Sequence, residues 1–209
     1  LILVGQKGNL GIEHRFRVFD DSMEETLCIT NSGAEPLDTS SIAFGFIKSL
    51  DSSPEEGTLF PIPYRRDTSE QAGTYGDVPL EELGWRGGYY WASPQDKVYG
   101  PTFGSEGWAW TQPKDTFLWI KYNPQAMEFA VVEPLRLGDE LVFRFGGCAL
   151  WKRGDPEPAA TLAPGQSFEF GLTHYQVCAG GWKTACYTFR KFMESRGHRT
   201  PEGYDPPVH

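Results

Sequence analysis

Apolar and polar positions alternate through much of this chain. "HRFRVFD" (14–20) alternates, and "ETLCITN" (25–31) follows after the polar break "DDSM", which suits a hairpin. "SIAFGFIKSL" (41–50) comes next, behind the turn-rich "NSGAEPLDTS". "TLFPIPYRR" (58–66) reads as extended, because each proline pushes the residue before it out of the helical region. An irregular passage then runs over 67–107. Strand patterns resume in "GWAWTQ" (107–112), "TFLWIKYN" (116–123), "MEFAVVEP" (127–134) and "ELVFRFGGCALWK" (140–152). Breaks such as "TQPKD" and "NPQA" separate them at the spacing of antiparallel hairpins. "SFEFGLTHYQV" (167–177) is the last predicted strand, with "LAPGQ" as its turn signal.

One segment changes period. In "GWKTACYTFRKFMESRG" the apolar residues Trp182, Ala185, Cys186, Phe189 and Phe192/Met193 recur at three and four, which predicts a helix over 181–196. Gly197 is placed to cap it and Pro201 lies just beyond. The pattern as a whole predicts an all-β fold, an antiparallel β-sandwich closed by one C-terminal helix. Residues 1–197 form that domain, and the proline-rich 198–209 reads as an extended connector to a further domain.

Composition narrows the partners. The chain has 209 residues, enough for a core that needs no staple. Its formal charge is −9, with carboxylates spread along its length, which argues against a nucleic-acid partner, since phosphate binding needs a basic face. No apolar run approaches the roughly 20 residues of a membrane span. No signal peptide is read, although the sequence opens on Leu1 and not on Met. Cys28, Cys148, Cys178 and Cys186 show neither a CxxC pair nor zinc-like spacing, and they read as reduced, buried thiols.

Catalytic signals are sparse. His14, His174, His198 and His209 are far apart and share no ligand spacing, so hydrogen-bonded structural or surface histidines are the plainer reading. No GxSxG, HExxH, P-loop or dinucleotide fingerprint is present, and "GSEG" (104–107) lacks the strand-to-helix setting of a nucleophile elbow. Acidic pairs such as Asp20/Asp21, Glu24/Glu25 and Glu81/Glu82 read as solvated faces. The expectation is therefore a chain with no catalytic residue, no metal site and no cofactor.

The stretch "GWRGGYYWASPQDKVYGPTFGSEGWAW" (84–110) stands apart. It holds four of the seven tryptophans, in a context of glycines and prolines with no regular period. Flat rings stack on the apolar face of a sugar while neighbouring charged groups bind its hydroxyls, and a long ring-rich loop suits that task. The predicted ligand-binding rings are Trp85, Tyr89, Tyr90 and Trp91. Arg65, Arg66, Asp67, Glu82 and Arg86 are the polar candidates beside them. Trp108 and Trp110 alternate in a predicted strand, share one face and are assigned to the core.

The last quarter of the chain resembles the end of the N-terminal β-supersandwich domain of family 36 glycoside hydrolases, the α-galactosidase relatives. The residues that carry the likeness are Pro164–Gly165 before a final strand, Gly180–Gly181 opening a helix, Tyr187 and Arg190 on that helix, and Pro201, Pro206 and Pro207 behind it. Earlier segments such as "ITNSGAEPLDTSSIAFGF" fit more loosely. The resemblance implies a supersandwich of galactose-mutarotase-like form. It also implies that the catalytic aspartates lie in a barrel downstream of residue 209, so it carries no catalytic residue onto this chain. Three readings follow. The first is a non-catalytic accessory domain that binds an oligosaccharide or polysaccharide through the aromatic stretch. The second is a structural interface domain for the barrel or for an oligomer. The third is a mutarotase-like enzyme that would need a histidine, His14 or His174, to converge with a carboxylate in a cleft.

Overall fold

The computed structural model describes residues 1–38, 42–49, 57–62, 74–75, 78–79, 103–105, 107–112, 114–125, 128–137, 140–149, 161–199 and 202. Its first strands are β1 (Ile2–Lys7), β2 (Leu10–Val18), β3 (Ser22–Asn31), β4 (Leu37–Asp38), β5 (Ala43–Ser49) and β6 (Thr58–Ile62). Short strands follow at β7 (Thr74–Tyr75), β8 (Val78–Pro79) and β9 (Phe103–Ser105). The longer ones after them are β10 (Gly107–Thr111), β11 (Asp115–Tyr122), β12 (Glu128–Leu137) and β13 (Glu140–Ala149). β14 (Thr161–Leu162), β15 (Ser167–Glu169) and β16 (Leu172–Ala179) lead into the helix α1 (Trp182–Ser195).

An eight-stranded sheet in the order β1-β2-β3-β16-β11-β10-β6, with β15 also paired to β3, faces a four-stranded sheet in the order β5-β13-β12-β9. The strand pairs are antiparallel, so the fold is an all-β antiparallel sandwich, with α1 as the one helix among the described residues. Two strand prolines sit where a missing N–H is tolerated. Pro61 is on β6, an outer strand of the large sheet. Pro134 lies on β12 beyond the reach of β9, whose pairing covers only 130–132.

Two apolar layers hold the sandwich. Between the sheets, Trp108, Trp110 and Trp119 pack with Leu59, Val132, Phe143 and Phe145. Trp108 Nε1 donates to Ala130 O at 2.9 Å, and Trp110 meets Phe143 edge-on. The assignment of Trp108 and Trp110 to the core is therefore borne out, both being almost completely buried. On the other face of the large sheet, Ile62, Ala109, Leu118 and Ile120 receive Ala185, Phe189 and Phe192 of α1. The central strands β10 and β11 are thus covered on both faces, which is why "TFLWIK" carries large apolar residues at consecutive positions.

The helix falls where its period predicts. Arg196 is its C-cap, Gly197 follows at φ 91°, and His198 N donates to Met193 O at 3.1 Å. That left-handed turn is one a glycine adopts without strain. "LAPGQ" forms the expected turn, with Gln166 N donating to Ala163 O at 3.0 Å.

Some expectations need correction. The predicted strand 167–177 is two strands, β15 and β16, broken at Phe170–Gly171 for a reason given below. β1 has no counterpart among the predicted strands, since "ILVGQK" is exposed on both faces and carries no alternation. Cys28, Cys178 and Cys186 are reduced thiols as expected, but half-buried instead of buried. Burial nonetheless raises the Cys28 and Cys178 thiols above their ordinary pKa. Most of the predicted connector 198–209 lies outside the described residues.

Candidate functional site

The sheet register places polar side chains where alternation calls for apolar ones. On β3 the inward residues are Glu25, Leu27, Ile29 and Asn31. On β2 the inward phase is Leu10, Ile12, His14 and Phe16, with Phe16 directly opposite Glu25. On the other side Glu25 faces Thr173 of β16, and Thr173 faces Lys121 of β11. One row across four neighbouring strands therefore reads Phe16, Glu25, Thr173, Lys121, with His14 and Tyr175 diagonal to Glu25.

Two carboxylate-centred clusters grow from that row. In the first, His14 Nε2 bonds to Glu25 Oε1, and the Tyr175 hydroxyl donates to Glu25 Oε2. Glu25 is completely buried, whereas the His14 side chain keeps 18% of its surface exposed. Phe16 lies against the imidazole at 4.4 Å between ring centres, and Phe44 meets it edge-on at 5.9 Å. Burial, then the charge of Glu25 and the hydrogen bond to it, raise the Tyr175 phenol well above 10; a bond to Thr173 offsets part of this. Tyr175 therefore remains a proton donor.

In the second cluster, Lys121 Nζ lies 2.9 Å from Glu128 Oε2, and both side chains are sealed from solvent. Lys121 also donates to Gly171 O and lies 3.4 Å from Thr173 Oγ1. Glu128 accepts from Asn123 Nδ2 at 2.5 Å and from the Gly171 N–H at 2.9 Å. The Phe44 ring covers the ammonium at 4.6 Å. This cluster is what divides the predicted strand 167–177, because both backbone groups of Gly171 turn to the ion pair and leave the ladder. A side chain at Gly171 would meet Asn123 Cβ and Tyr122 O at 2.5 Å.

The outward face of β16 carries His174, which stacks on Phe192 of the helix at 4.8 Å. Its Nε2 pairs with Gln176 at 3.3 Å, and burial lowers its pKa below the ordinary 6.5. Arg196 at the end of the helix donates to Glu24 at 2.6 Å.

Of the residues predicted to bind ligand, Arg65, Arg66, Asp67, Glu82, Trp85, Arg86, Tyr89, Tyr90 and Trp91 lie outside the described residues. The reading of Glu24/Glu25 as a solvated pair is corrected. Glu24 is held in an ion pair, and Glu25 is buried in the sheet layer. His14 and His174 are hydrogen-bonded as expected, but His14 also meets a carboxylate, a convergence that only the strand register creates. Among the described residues no group of three or more His, Cys, Asp or Glu stands together as a metal site.

No protein-family model matches the sequence, and comparison with curated proteins finds no match. Among solved structures, the chain is similar to a putative aldose 1-epimerase from Escherichia coli K12, at 15% identity and a TM-score of 0.47, over 86% of this chain and 64% of that one. It is also similar to the galactosidase domain of an α-galactosidase–sucrose kinase, at 12% identity and a TM-score of 0.41, over 86% of this chain and 24% of that one. The chain thus spans less than two thirds of either structure, and likeness at this level assigns no residue a role. The expectation of a chain without enzymatic activity does not stand. The Escherichia coli protein is named as an enzyme, and this chain brings a histidine, a carboxylate and a tyrosine into one hydrogen-bonded set.

Proposed function

We propose that the chain acts on a carbohydrate through His14, backed by Glu25, as a sugar-converting β-sandwich. The observation that carries the reading is the bond between a partly exposed imidazole and a fully buried carboxylate. Glu25 cannot reach a ligand, so His14 is the group that would touch it. An aldose ring opens when a base takes the proton of the anomeric hydroxyl, the bond from C1 to the ring oxygen breaks and the ring oxygen gains a proton from solvent. Closure on the other face reverses these steps. A histidine suits such proton transfer near neutral pH. The carbohydrate class is supported by the family 36 resemblance of the last quarter of the chain and by the rings of 84–110. Trp85, Tyr89, Tyr90 and Trp91 are proposed to stack on the sugar, and the proline-rich 198–209 to lead toward a barrel.

Anomerisation of freshly dissolved aldoses, followed by polarimetry, tests the reaction. Wild type should exceed the spontaneous rate, and His14→Ala and Glu25→Gln should return it to background. A wild-type rate equal to background across hexoses and pentoses would sink the conversion. Oligosaccharide titration with tryptophan fluorescence, using Trp85→Ala and Trp91→Ala, tests the stacking separately.

A further inference from the structure

We infer that β1 joins a second copy of this chain by antiparallel strand pairing, about a two-fold axis at Val4 that runs the two large sheets into one. The inference is independent of the sugar-converting reading. β1 is an outer strand of the large sheet, and among the described residues only β2 pairs with it. Leu1, Ile2, Leu3 and Val4 are each more than half exposed, Val4 at 79%. Proteins blunt such edges with proline, charge, a bulge or short length. Two other outer strands are blunted in this way: β6 holds Pro61 and β9 has three residues. β1 runs six residues in unbroken register without a proline, and its one charge, Lys7, stands at its end.

The phase of the hydrogen bonds fixes which backbone groups β1 offers. Leu1 and Phe16 exchange both of their backbone bonds, at 3.0 and 2.8 Å. An antiparallel ladder repeats that exchange at every second residue, so Leu3, Gly5 and Lys7 turn their N–H and C=O toward β2. Ile2, Val4 and Gln6 turn theirs outward. An antiparallel second copy matches this phase when Val4 meets Val4 of the copy. Ile2 then meets Gln6 of the copy, and Leu3 meets Gly5, beside which the chain leaves open space: a Cβ there would find no atom within 4 Å. Each outward donor and acceptor gains a counterpart, and two valines meet on the axis. The two Lys7 residues stand at opposite ends of the pair, so these like charges do not meet. This self-match is why a second copy, and not a strand of another protein, is the occupant. One strand pair buries less than a standard interface, so the dimer should be weak and depend on concentration.

The test is sedimentation equilibrium of the whole chain over a concentration series, with amide hydrogen exchange at the same concentrations. The mass should rise from one chain toward two. The amides of Leu3 and Gly5 should be protected at every concentration, and those of Val4 and Gln6 only where the dimer forms. Val4→Pro removes one outward N–H and leaves the ladder to β2 intact, so it should fold and stay monomeric; far-ultraviolet circular dichroism checks the fold. Val4→Lys sets two ammonium groups against each other on the axis and should also abolish the dimer, so the outcome does not hang on the proline variant. A wild-type chain that stays monomeric at the highest attainable concentration would overturn the inference. A dimer that Val4→Lys leaves unchanged would do the same, because another surface would then hold it. Val4 and Gln6 amides protected in the dilute monomer would also overturn it, because a segment of the same chain would then cover β1.

Discussion

Glu128 and Glu25 sit in the same inter-sheet layer, and each is surrounded by donors, yet they are built for different purposes. Glu128 has a cation, an amide side chain and a backbone N–H, and its partner Lys121 is as deeply buried as itself. Both charged groups of that cluster are closed to solvent. It is a strut, and it draws Gly171 out of the ladder to complete itself. Glu25 has a phenol and an imidazole, and the imidazole keeps contact with water. The contrast teaches that a buried charge by itself says little about function. What separates a candidate site from a strut is one member of the cluster that remains within reach of a ligand.

The comparison can be broken most directly at the strut. Glu128→Ala strands the Lys121 ammonium and should lower stability by about 3–5 kcal/mol in urea denaturation. The pair Lys121→Met with Glu128→Leu should lose much less than either single change. If Glu128→Ala is instead tolerated, the cluster is not the strut described. The next effect is at the same place: Gly171→Ala must push a methyl into Asn123 and the Tyr122 carbonyl, at about 1–3 kcal/mol. At the other carboxylate the balance should reverse. His14→Gln keeps a donor for Glu25 and should cost less than about 1 kcal/mol, while removing any aldose conversion. Conversion that survives His14→Gln would erase the distinction between the two clusters.

The smallest effect concerns the other strand histidine. Burial first, and Arg196 besides, lower the pKa of His174, while Gln176, Glu24 and Asp21 pull it partly back. An unfolded histidine titrates near about 6.5, so just below that pH the unfolded chain binds the proton that the folded chain refuses. Stability should fall as pH drops from about 6.5 to the folded pKa and change no further from this group below it. His174→Gln should flatten that part of the stability–pH curve; an unchanged slope would remove His174 as its source.

Much of the fold could be read from the sequence, because alternation and helical period report burial directly. Trp108 and Trp110 announced their shared face, and Phe189 and Phe192 their helix. The break at Gly171 could not be read, since its cause is an ion pair formed by residues that are distant in the chain. The candidate site was legible in part. His14, Glu25 and Lys121 each stand in phase with apolar neighbours that face the core, and a polar residue in an apolar phase is itself a signal. Reading Glu24/Glu25 as an acidic pair hid that signal, because on a strand the two point to opposite faces. That His14 meets Glu25 depends on the pairing of β2 with β3, and Tyr175 joins them from a strand about 150 residues later.

The order of strands in the large sheet has a consequence for synthesis. β16 lies between β3 and β11, so the last of the described strands to emerge from the ribosome occupies a middle place in the sheet. Until it arrives, β3 and β11 each present an open edge, and the inner cluster of Glu25 lacks its tyrosine. The early hairpins can form as they are made, but the layer cannot close until nearly the whole domain has been translated. A ribosome stalled before residue 172 should therefore hold a chain whose two halves are each partly ordered and still unjoined, and which depends on chaperones to keep those edges from pairing elsewhere.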